Sequence, residues 1–427
     1  MPITRPLIFA AAFLALAVSG CSQTPIPTSQ PAGLTPQNFG TSTSDDASGL
    51  ARYSSGVYVI GGTLGNLHGT QKGRGDAFIR KVDTGGRVIW GRQFGTPASD
   101  AAFYVATDTA GNAYVLGRTS GKLARTLRGN SDFFLRKYTA SGGVAWTRQF
   151  GLETSDMPGG VAVSGSYVYV VGSSEGLGTF VYRFNAKTGG TWWKKRFDAS
   201  NQGAITADGS GNVYLTGTTP AVCEYPDFQS NCDDVRLQKY NAAGNLVWSK
   251  KLNYAETDRV EAITAHGSSV YLVVHTFDVP DDESYSQLVK LNASGVAQWS
   301  KPLGVASAYE QYISSRSDSV SADSSGVYAA STAITNFDDP HDSSYDRQAY
   351  AVAKFAPDGS FLWEVGSLDY DGGGDEPDRR VYGALSAVVA RGGDVYIAGT
   401  VGGGAGRGSD AFLKRLDAVT GRTVWNK

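Results

Sequence analysis

The chain has 427 residues, enough for about three domains of ordinary size, although large all-β folds reach this length as one unit. Glycine accounts for 54 residues and charged residues for only 18%, which favours many strands and tight turns over long amphipathic helices. The formal net charge of −2 excludes an overall electrostatic attraction to nucleic acids. We therefore expect a large folded body that binds no nucleic acid.

The first 20 residues have the pattern of a secretion signal. Arg5 precedes an apolar run from residue 7 to residue 18. At about 1.5 Å per residue this run spans only ~18 Å, well short of the ~30 Å hydrocarbon core of a bilayer. Residues 18–21 read Val-Ser-Gly-Cys, which resembles the bacterial lipobox. The resemblance implies that residues 1–20 are a signal peptide and that Cys21 carries a lipid anchor. A plain secretory signal with an incidental cysteine is the alternative.

Residues 21–36 are predicted to form a tether behind this anchor. After Cys21 the segment is rich in Ser, Thr, Gln and Pro and carries no charge, so it has too little apolar surface to fold. An extended chain of this length places the body up to roughly 50 Å from the lipid. Ser22 follows Cys21, which resembles the pattern for outer-membrane sorting in Gram-negative bacteria. We expect an exported protein held at the cell envelope, in the outer membrane or on the cell surface.

The remaining residues, 37–427, contain a sevenfold repeat. Two residue series recur at a mean spacing of about 56 residues, which is typical of a repeat architecture. The first series is Trp90, Trp146, Trp193, Trp248, Trp299, Trp363 and Trp425. The second is a Tyr that ends an apolar pair, at Tyr58, Tyr114, Tyr169, Tyr214, Tyr271, Tyr328 and Tyr396. Both series are interpreted as packed core.

Each repeat resolves into four strands joined by short turns rich in Asp, Asn and Gly. In the second repeat the predicted strands are 102–107, 112–117, 133–138 and 144–150. The second strand of each repeat is apolar on both faces, so it must be covered on both sides. Four-stranded antiparallel blades packed around an axis meet this requirement. The fold class is therefore all-β, a seven-bladed β-propeller.

The repeat also has a recognisable motif. In the second unit it reads Asp-Ala at residues 100–101, Gly-Asn-Ala-Tyr-Val at 111–115, Asp-Phe-Phe-Leu-Arg-Lys at 132–137 and Trp at 146. This pattern resembles the bacterial SBBP-type β-propeller repeat. Residues 416–425 are similar to a blade motif of pyrroloquinoline-quinone-type propellers, a likeness that marks blade geometry and does not establish cofactor binding.

The ends of the body indicate how the ring closes. The repeat motif Trp-x-Arg-Gln-Phe-Gly occurs at residues 90–95 and 146–151, but the chain stops at Trp425-Asn426-Lys427. The missing residues are found as Gln-Asn-Phe-Gly at positions 37–40. We expect the two termini to meet and complete one strand or its exit, which closes the ring and removes an open sheet edge.

The long insertions are all expected on one face, because the short turns occupy the other edge of every blade. Loops on a rigid frame commonly carry function, so this long-loop face is the candidate binding surface. Basic residues concentrate in its early loops, where Lys72 and Arg74 accompany the candidates Arg118, Lys122, Arg125 and Arg128. The later loops are acidic and contribute the candidates Asp281, Asp282, Asp338 and Asp339. The alternative is that these charges are merely solvated.

Two further motifs, an acidic segment and a cysteine pair, each have a possible functional role. The acidic, Gly-rich segment at residues 369–378 offers carboxylates for Ca²⁺, although their spacing fits a calcium loop poorly and a bare acidic loop is the simpler interpretation. Its candidate ligands are Asp369, Asp371, Asp375, Glu376 and Asp378. With Cys21 lipidated, Cys223 and Cys232 remain, and in an exported protein they predict a disulfide.

The sequence favours binding over catalysis. We recognise no Ser/His/Asp or Cys/His arrangement, no phosphate-binding Gly loop and no cofactor beyond the Ca²⁺ alternative. The expected function is a monomeric, lipid-anchored scaffold that binds a protein or an envelope polysaccharide without chemistry. The alternatives are an envelope-assembly scaffold and a propeller enzyme, either a hydrolase or a quinone-dependent dehydrogenase, because the fold does not decide among them.

Overall fold

The computed structural model describes residues 38–197, 203–221, 232–254, 257–278, 283–303, 314–336, 346–368, 383–402 and 408–427. These residues form 28 strands in seven four-stranded antiparallel sheets, and each strand pairs with its neighbours in sequence. The prediction of a seven-bladed propeller is confirmed. Within the described ranges, no helix has the length and apolar character needed to cross a bilayer.

Each blade takes four consecutive strands, counted from the central axis outward. Blades 1 and 2 comprise β1 (Asp45–Tyr53), β2 (Gly56–Thr63), β3 (Asp76–Asp83), β4 (Val88–Phe94), β5 (Asp100–Thr107), β6 (Ala113–Thr119), β7 (Asp132–Tyr138) and β8 (Val144–Phe150). Blades 3 and 4 comprise β9 (Asp156–Ser164), β10 (Tyr167–Ser174), β11 (Gly178–Asn185), β12 (Thr191–Phe197), β13 (Ile205–Ala207), β14 (Val213–Pro220), β15 (Asp233–Tyr240) and β16 (Leu246–Leu252).

The last three blades follow the same order. Blades 5 and 6 comprise β17 (Thr257–His266), β18 (Ser269–Asp278), β19 (Glu283–Asn292), β20 (Ala297–Leu303), β21 (Ser314–Asp323), β22 (Gly326–Asn336), β23 (Asp346–Phe355) and β24 (Phe361–Leu368). Blade 7 comprises β25 (Gly383–Arg391), β26 (Asp394–Val401), β27 (Asp410–Asp417) and β28 (Thr423–Asn426). The strands predicted for the second repeat differ from β5–β8 by two residues or fewer at any end, because the turn residues that bound them act locally.

The core lies between blades. The buried apolar side chains of the described residues form seven clusters, and each cluster draws on two adjacent blades. One of them joins blade 7 to blade 1 and includes Tyr396, Leu413, Val57 and Phe78. The seven Tyr residues of the repeat are all buried, as predicted. A blade therefore buries its apolar faces only when both neighbours are present, which makes the ring the folding unit.

A repeated contact fastens each blade to the next. Lys354 Nζ in blade 6 donates to the backbone oxygen of Ala418 in blade 7 at 2.7 Å, and Trp363 Nε1 donates to the same oxygen at 3.1 Å. The equivalent cations and acceptors are Lys81 with Ala140, Lys137 with Ala186, Arg183 with Ala242, Lys239 with Ala293, Lys290 with Pro357 and Arg415 with Thr84. The last pair links blade 7 to blade 1, so this contact also closes into a ring.

The chain ends meet in blade 7, as predicted. Lys427 extends β28 and exchanges backbone hydrogen bonds with Leu413 of β27. Two residues further along β27, Ala411 exchanges backbone hydrogen bonds of 2.8 and 3.1 Å with Phe39. Phe39 occupies the position that Phe94, paired with Ala77, takes in blade 1. The N-terminal residues therefore complete the outer strand that the C-terminus leaves unfinished.

Candidate binding face

The long connections of the described residues leave the blades on one face. In every sheet the first and third connections are short turns, whereas the second connection and the link to the next blade leave from the opposite edge. Blade 3 departs from the pattern, because only residues 175–177 separate β10 from β11. The long-loop face is therefore built mainly by the other blades, and its described loops are those of blades 1 and 2.

A glutamine in the outer strand organises each of these two loops. Gln149 Oε1 accepts the backbone N–H groups of Leu123 and Ala124, both at 2.9 Å. Gln149 Nε2 donates to Gly121 O and to Asp132 Oδ2, again at 2.9 Å. Gln93 makes matching contacts with the loop of blade 1. The repeat motif already contained this residue, but its role was not predicted, since a polar residue in an outer strand ordinarily faces water.

The structure divides the four candidate cations of blade 2 into two pairs. Arg118 donates to the Met157 sulfur at 2.8 Å, and Arg125 lies 3.5 Å from the buried carboxylate of Asp132, so both side chains hold the fold together. Lys122 and Arg128 are exposed, and none of the ion pairs between described residues includes either of them. Of the four candidate cations, Lys122 and Arg128 are therefore the two whose side chains lie open on the surface.

The link between blades 1 and 2 brings their loops together. A Cβ added to Gly73 would lie 2.2 Å from Thr96 O, and one added to Gly121 would lie 2.2 Å from Thr96 Oγ1. Both loops therefore contact the same link residue. The exposed cations beside these glycines are Lys72, Arg74 and Lys122. Together with the exposed Arg128, further along the same loop of blade 2, they are called the basic sector.

A shallow, open depression of about 510 Å³ lies next to this sector, where the N-terminal segment packs on the loop of blade 1. It is lined by Gly40, Thr41, Ser42, Thr43, Leu64, Gly65, Asn66 and Gln71. The lining supplies hydroxyl and amide groups and no charge, which suits hydrogen bonding to a polar surface rather than acid–base chemistry.

Pairs of buried aspartates lie under the same face at the blade junctions. Ser131 and Ser155 form a parallel bridge, which places Asp132 and Asp156 side by side, both fully buried. Asp156 accepts the backbone N–H of Leu152 at 3.0 Å. Burial, with the charge of Asp132 nearby, raises the pKa of Asp156 to about 6. Asp76 and Asp100 repeat the arrangement between blades 1 and 2. These carboxylates hold loop backbone in place. Asp recurs at these positions of the repeat, but its sequence pattern alone does not indicate this role.

The histidines in the described part of the chain are dispersed. His266 and His275 lie at opposite ends of the register between β17 and β18. His68 Nε2 accepts a hydrogen bond from Arg80 at 2.9 Å, and burial lowers its pKa to about 4, helped by Arg80 and Arg92. Across the described ranges, His, Cys, Asp and Glu side chains form no group of three that is arranged to hold a metal ion.

Several candidates lie outside the described residues. They are Cys21, Cys223, Asp281, Asp282, Asp338, Asp339, Asp369, Asp371, Asp375, Glu376 and Asp378. Cys232 is described: it is buried and disulfide-bonded, and its backbone oxygen accepts the N–H of Ala221 at 2.8 Å. Its pairing with Cys223 stays a prediction, as do the calcium loop and the acidic partner site.

Two family profiles match parts of the chain. One, described as a beta-propeller repeat of the SBBP type, matches residues 89–123. The other, described as outer membrane protein assembly factor BamB, matches residues 131–338. No curated protein matches the chain in sequence.

Solved structures share the fold at low identity. The structure of U3-55K is 12% identical, covers 88% of this chain and 96% of its own, and has a TM-score of 0.51. BamB from Moraxella catarrhalis is 15% identical over 93% and 89% of the two chains, with a TM-score of 0.43. The propeller domain of the Trilobed protease from Pyrococcus furiosus is 7% identical over 88% and 98%, with a TM-score of 0.49. The likeness to U3-55K supports the fold alone. This chain is a seven-bladed β-propeller that carries an SBBP-type repeat and matches, over residues 131–338, the profile described as BamB.

Proposed function

We propose that this protein is an exported, lipid-anchored scaffold that binds a protein or an envelope polymer through its long-loop face. The observation that carries the proposal is the basic sector of Lys72, Arg74, Lys122 and Arg128, four exposed cations on loops whose backbone is fixed by hydrogen bonds to Gln and Asp side chains. Rigid loops lose little conformational entropy on binding, and an unpaired basic sector attracts an anionic partner.

The sequence match to a profile named after an outer membrane assembly factor supports a role at the envelope. An envelope-assembly scaffold is therefore the form of the proposal that we favour, with a protein as the partner. The lipobox-like residues 18–21 supply the anchor at Cys21, and the tether of residues 21–36 gives the propeller its reach from the membrane.

The binding proposal is tested by affinity capture from native envelope with the full-length chain. One variant neutralises the basic sector as K72Q/R74Q/K122Q/R128Q. A matched control neutralises four exposed cations on the short-turn side, R87Q/K187Q/R391Q/R422Q. A partner recovered by wild type and control but lost from the first variant supports the proposal. Equal recovery by all three proteins contradicts it.

Two further variants address the other parts of the proposal. Neutralising Asp369, Asp371, Asp375, Glu376 and Asp378 tests the acidic loop, and loss of the partner there moves the site to that loop. Cys21→Ala tests the anchor, because mass spectrometry of the wild-type N-terminus should show acyl chains and detergent-phase partitioning should disappear in the variant. A wild-type N-terminus without lipid refutes the anchor.

A further inference from the structure

The outer edge of blade 3 differs from the other outer edges. In each blade the residue before the repeated Trp is the extra residue of a β-bulge, as in β12, where Trp193 pairs with Arg183 and Thr191 with Phe184. The bulge turns that residue outward. Elsewhere it is small, polar or aliphatic: Ile89, Ala145, Val247, Gln298, Leu362 and Val424. In blade 3 it is Trp192, the one tryptophan of the sequence that does not belong to the repeated series. Its side chain is 61% exposed.

Trp192 packs against Tyr167, which in turn packs against Arg183. Its ring lies 5.6 Å from the ring of Tyr167 at an interplanar angle of 74°. The Arg183 guanidinium lies 3.5 Å from the Tyr167 ring centroid and is itself fixed by hydrogen bonds to Ala242 O and Ala243 O in blade 4. The indole is therefore both exposed and preorganised, which is the property of an aromatic anchor at a binding surface.

Three exposed cations follow Trp192 on the same strand. Lys195 contacts the next blade, donating to Gly244 O at 2.7 Å. Lys194 lies over Phe180 at 4.2 Å, on the other face of the blade, and Arg196 pairs with Phe180 in the strand register. No ion pair between described residues includes any of the three. The buried carboxylate of Asp156 interacts with Lys194. The edge thus carries positive charge on both of its faces, and Lys195 and Arg196 lie outside the ion pairs of the described residues.

We propose that this edge binds an anionic polysaccharide, with a sugar ring packed on Trp192 and its acidic groups paired with Lys194 and Arg196. Trp192 and Arg196 are about 13 Å apart along the strand, so an extended polymer contacts both at once. Exposed lysines on an edge strand disfavour pairing with another strand. A flat membrane surface would contact only the side chains that protrude furthest from the edge. A polymer lying along the edge can contact cations on both faces of the strand. This site is separate from the long-loop face.

The test measures binding of the full-length protein to polygalacturonate as the anionic glycan. Dextran supplies sugar rings without charge, poly-L-glutamate supplies charge without sugar rings, and phosphatidylglycerol vesicles supply an anionic membrane. The variants are Trp192→Ala and K194Q/R196Q. Their controls are Val247→Ala, the equivalent bulge residue of blade 4, and R87Q/R422Q on other blades. Because all of these side chains are exposed, the substitutions should leave the fold intact. The urea midpoint of each variant checks this.

We expect saturable binding to polygalacturonate that weakens about tenfold in Trp192→Ala and in K194Q/R196Q, and that is unchanged in both controls. Added salt weakens it further in the wild type. Equal binding to poly-L-glutamate, insensitivity to Trp192→Ala, or Trp192-dependent binding to the vesicles instead of the glycan would each overturn the proposal. Because the variants of the basic sector leave this edge intact, failure here is distinguishable from failure of the proposed function.

Discussion

Replacing Gly189 with Ala tests whether the tryptophan contacts between blades hold the ring together. Gly189 lies in a short turn of blade 3 at a φ of +69°, and a Cβ there would lie 2.7 Å from Cδ2 and 2.8 Å from Cε3 of Trp146 in blade 2. The indole must then shift, which strains its 3.3 Å hydrogen bond from Nε1 to Ala186 O. Such crowding of a packed site costs about 1–3 kcal/mol.

Gly176 in the same blade provides a matched control. Its φ is +70°, and an added Cβ has no atom within 4 Å. The left-handed backbone penalty of about 1–2 kcal/mol is therefore common to both substitutions. Gly176→Ala should cost only that amount, and Gly189→Ala should cost about 2–5 kcal/mol, so their difference reports the contact with Trp146.

The assay is urea unfolding followed by tryptophan fluorescence, with midpoints compared at equal slope. A double-mutant cycle with Trp146→Phe provides a second check, because the smaller ring leaves space and the excess cost of Gly189→Ala should fall. Equal destabilisation by the two glycine substitutions, or an excess cost that persists in Trp146→Phe, would refute the contact as a source of stability.

Three other predictions follow from the closure, the buried carboxylates and the cysteines. Phe39→Ala should lower the free energy of unfolding by about 2 kcal/mol, roughly half the cost for a fully buried Phe, whereas Phe361→Ala, at a 60% exposed site, should change it little; equal effects would contradict closure by Phe39. Since the pKa of Asp156 is raised from 3.8 to about 6, its protonation favours the folded state, and this stabilisation is complete below pH 3.8 and lost as the pH rises through 6. Asp156→Asn should therefore flatten the pH dependence of the urea midpoint between roughly pH 4 and pH 7, and an unchanged slope would exclude the assignment. Thiol titration of the unreduced, denatured chain should find Cys223 and Cys232 unreactive, and Cys223→Ser should cost about 2.5–3 kcal/mol in urea unfolding; a free thiol at either position would disprove the pairing.

The sequence alone predicts the strand ends, the number of blades and the closure of the ring. The strand ends depend on local turn residues, and the number of blades equals the number of repeats in the sequence. Both can therefore be predicted without knowledge of distant contacts. The closure was predictable because the motif Trp-x-Arg-Gln-Phe-Gly is complete around Phe94 but stops shortly after Trp425. Phe39, near the other end of the chain, supplies the missing Phe.

Only the tertiary structure shows which polar side chains make contacts within the fold and which are exposed. Arg118 and Lys122 look alike as loop cations in sequence, yet Arg118 contacts Met157 of the neighbouring blade while Lys122 is exposed. Similarly, Gln149 is an outer-strand residue by pattern but binds loop backbone, and Trp192 is exposed because a β-bulge takes it out of the alternation of its strand. The physical reason is that these roles depend on which atoms adjacent blades bring within hydrogen-bonding reach, a property of packing between repeats rather than of any one repeat.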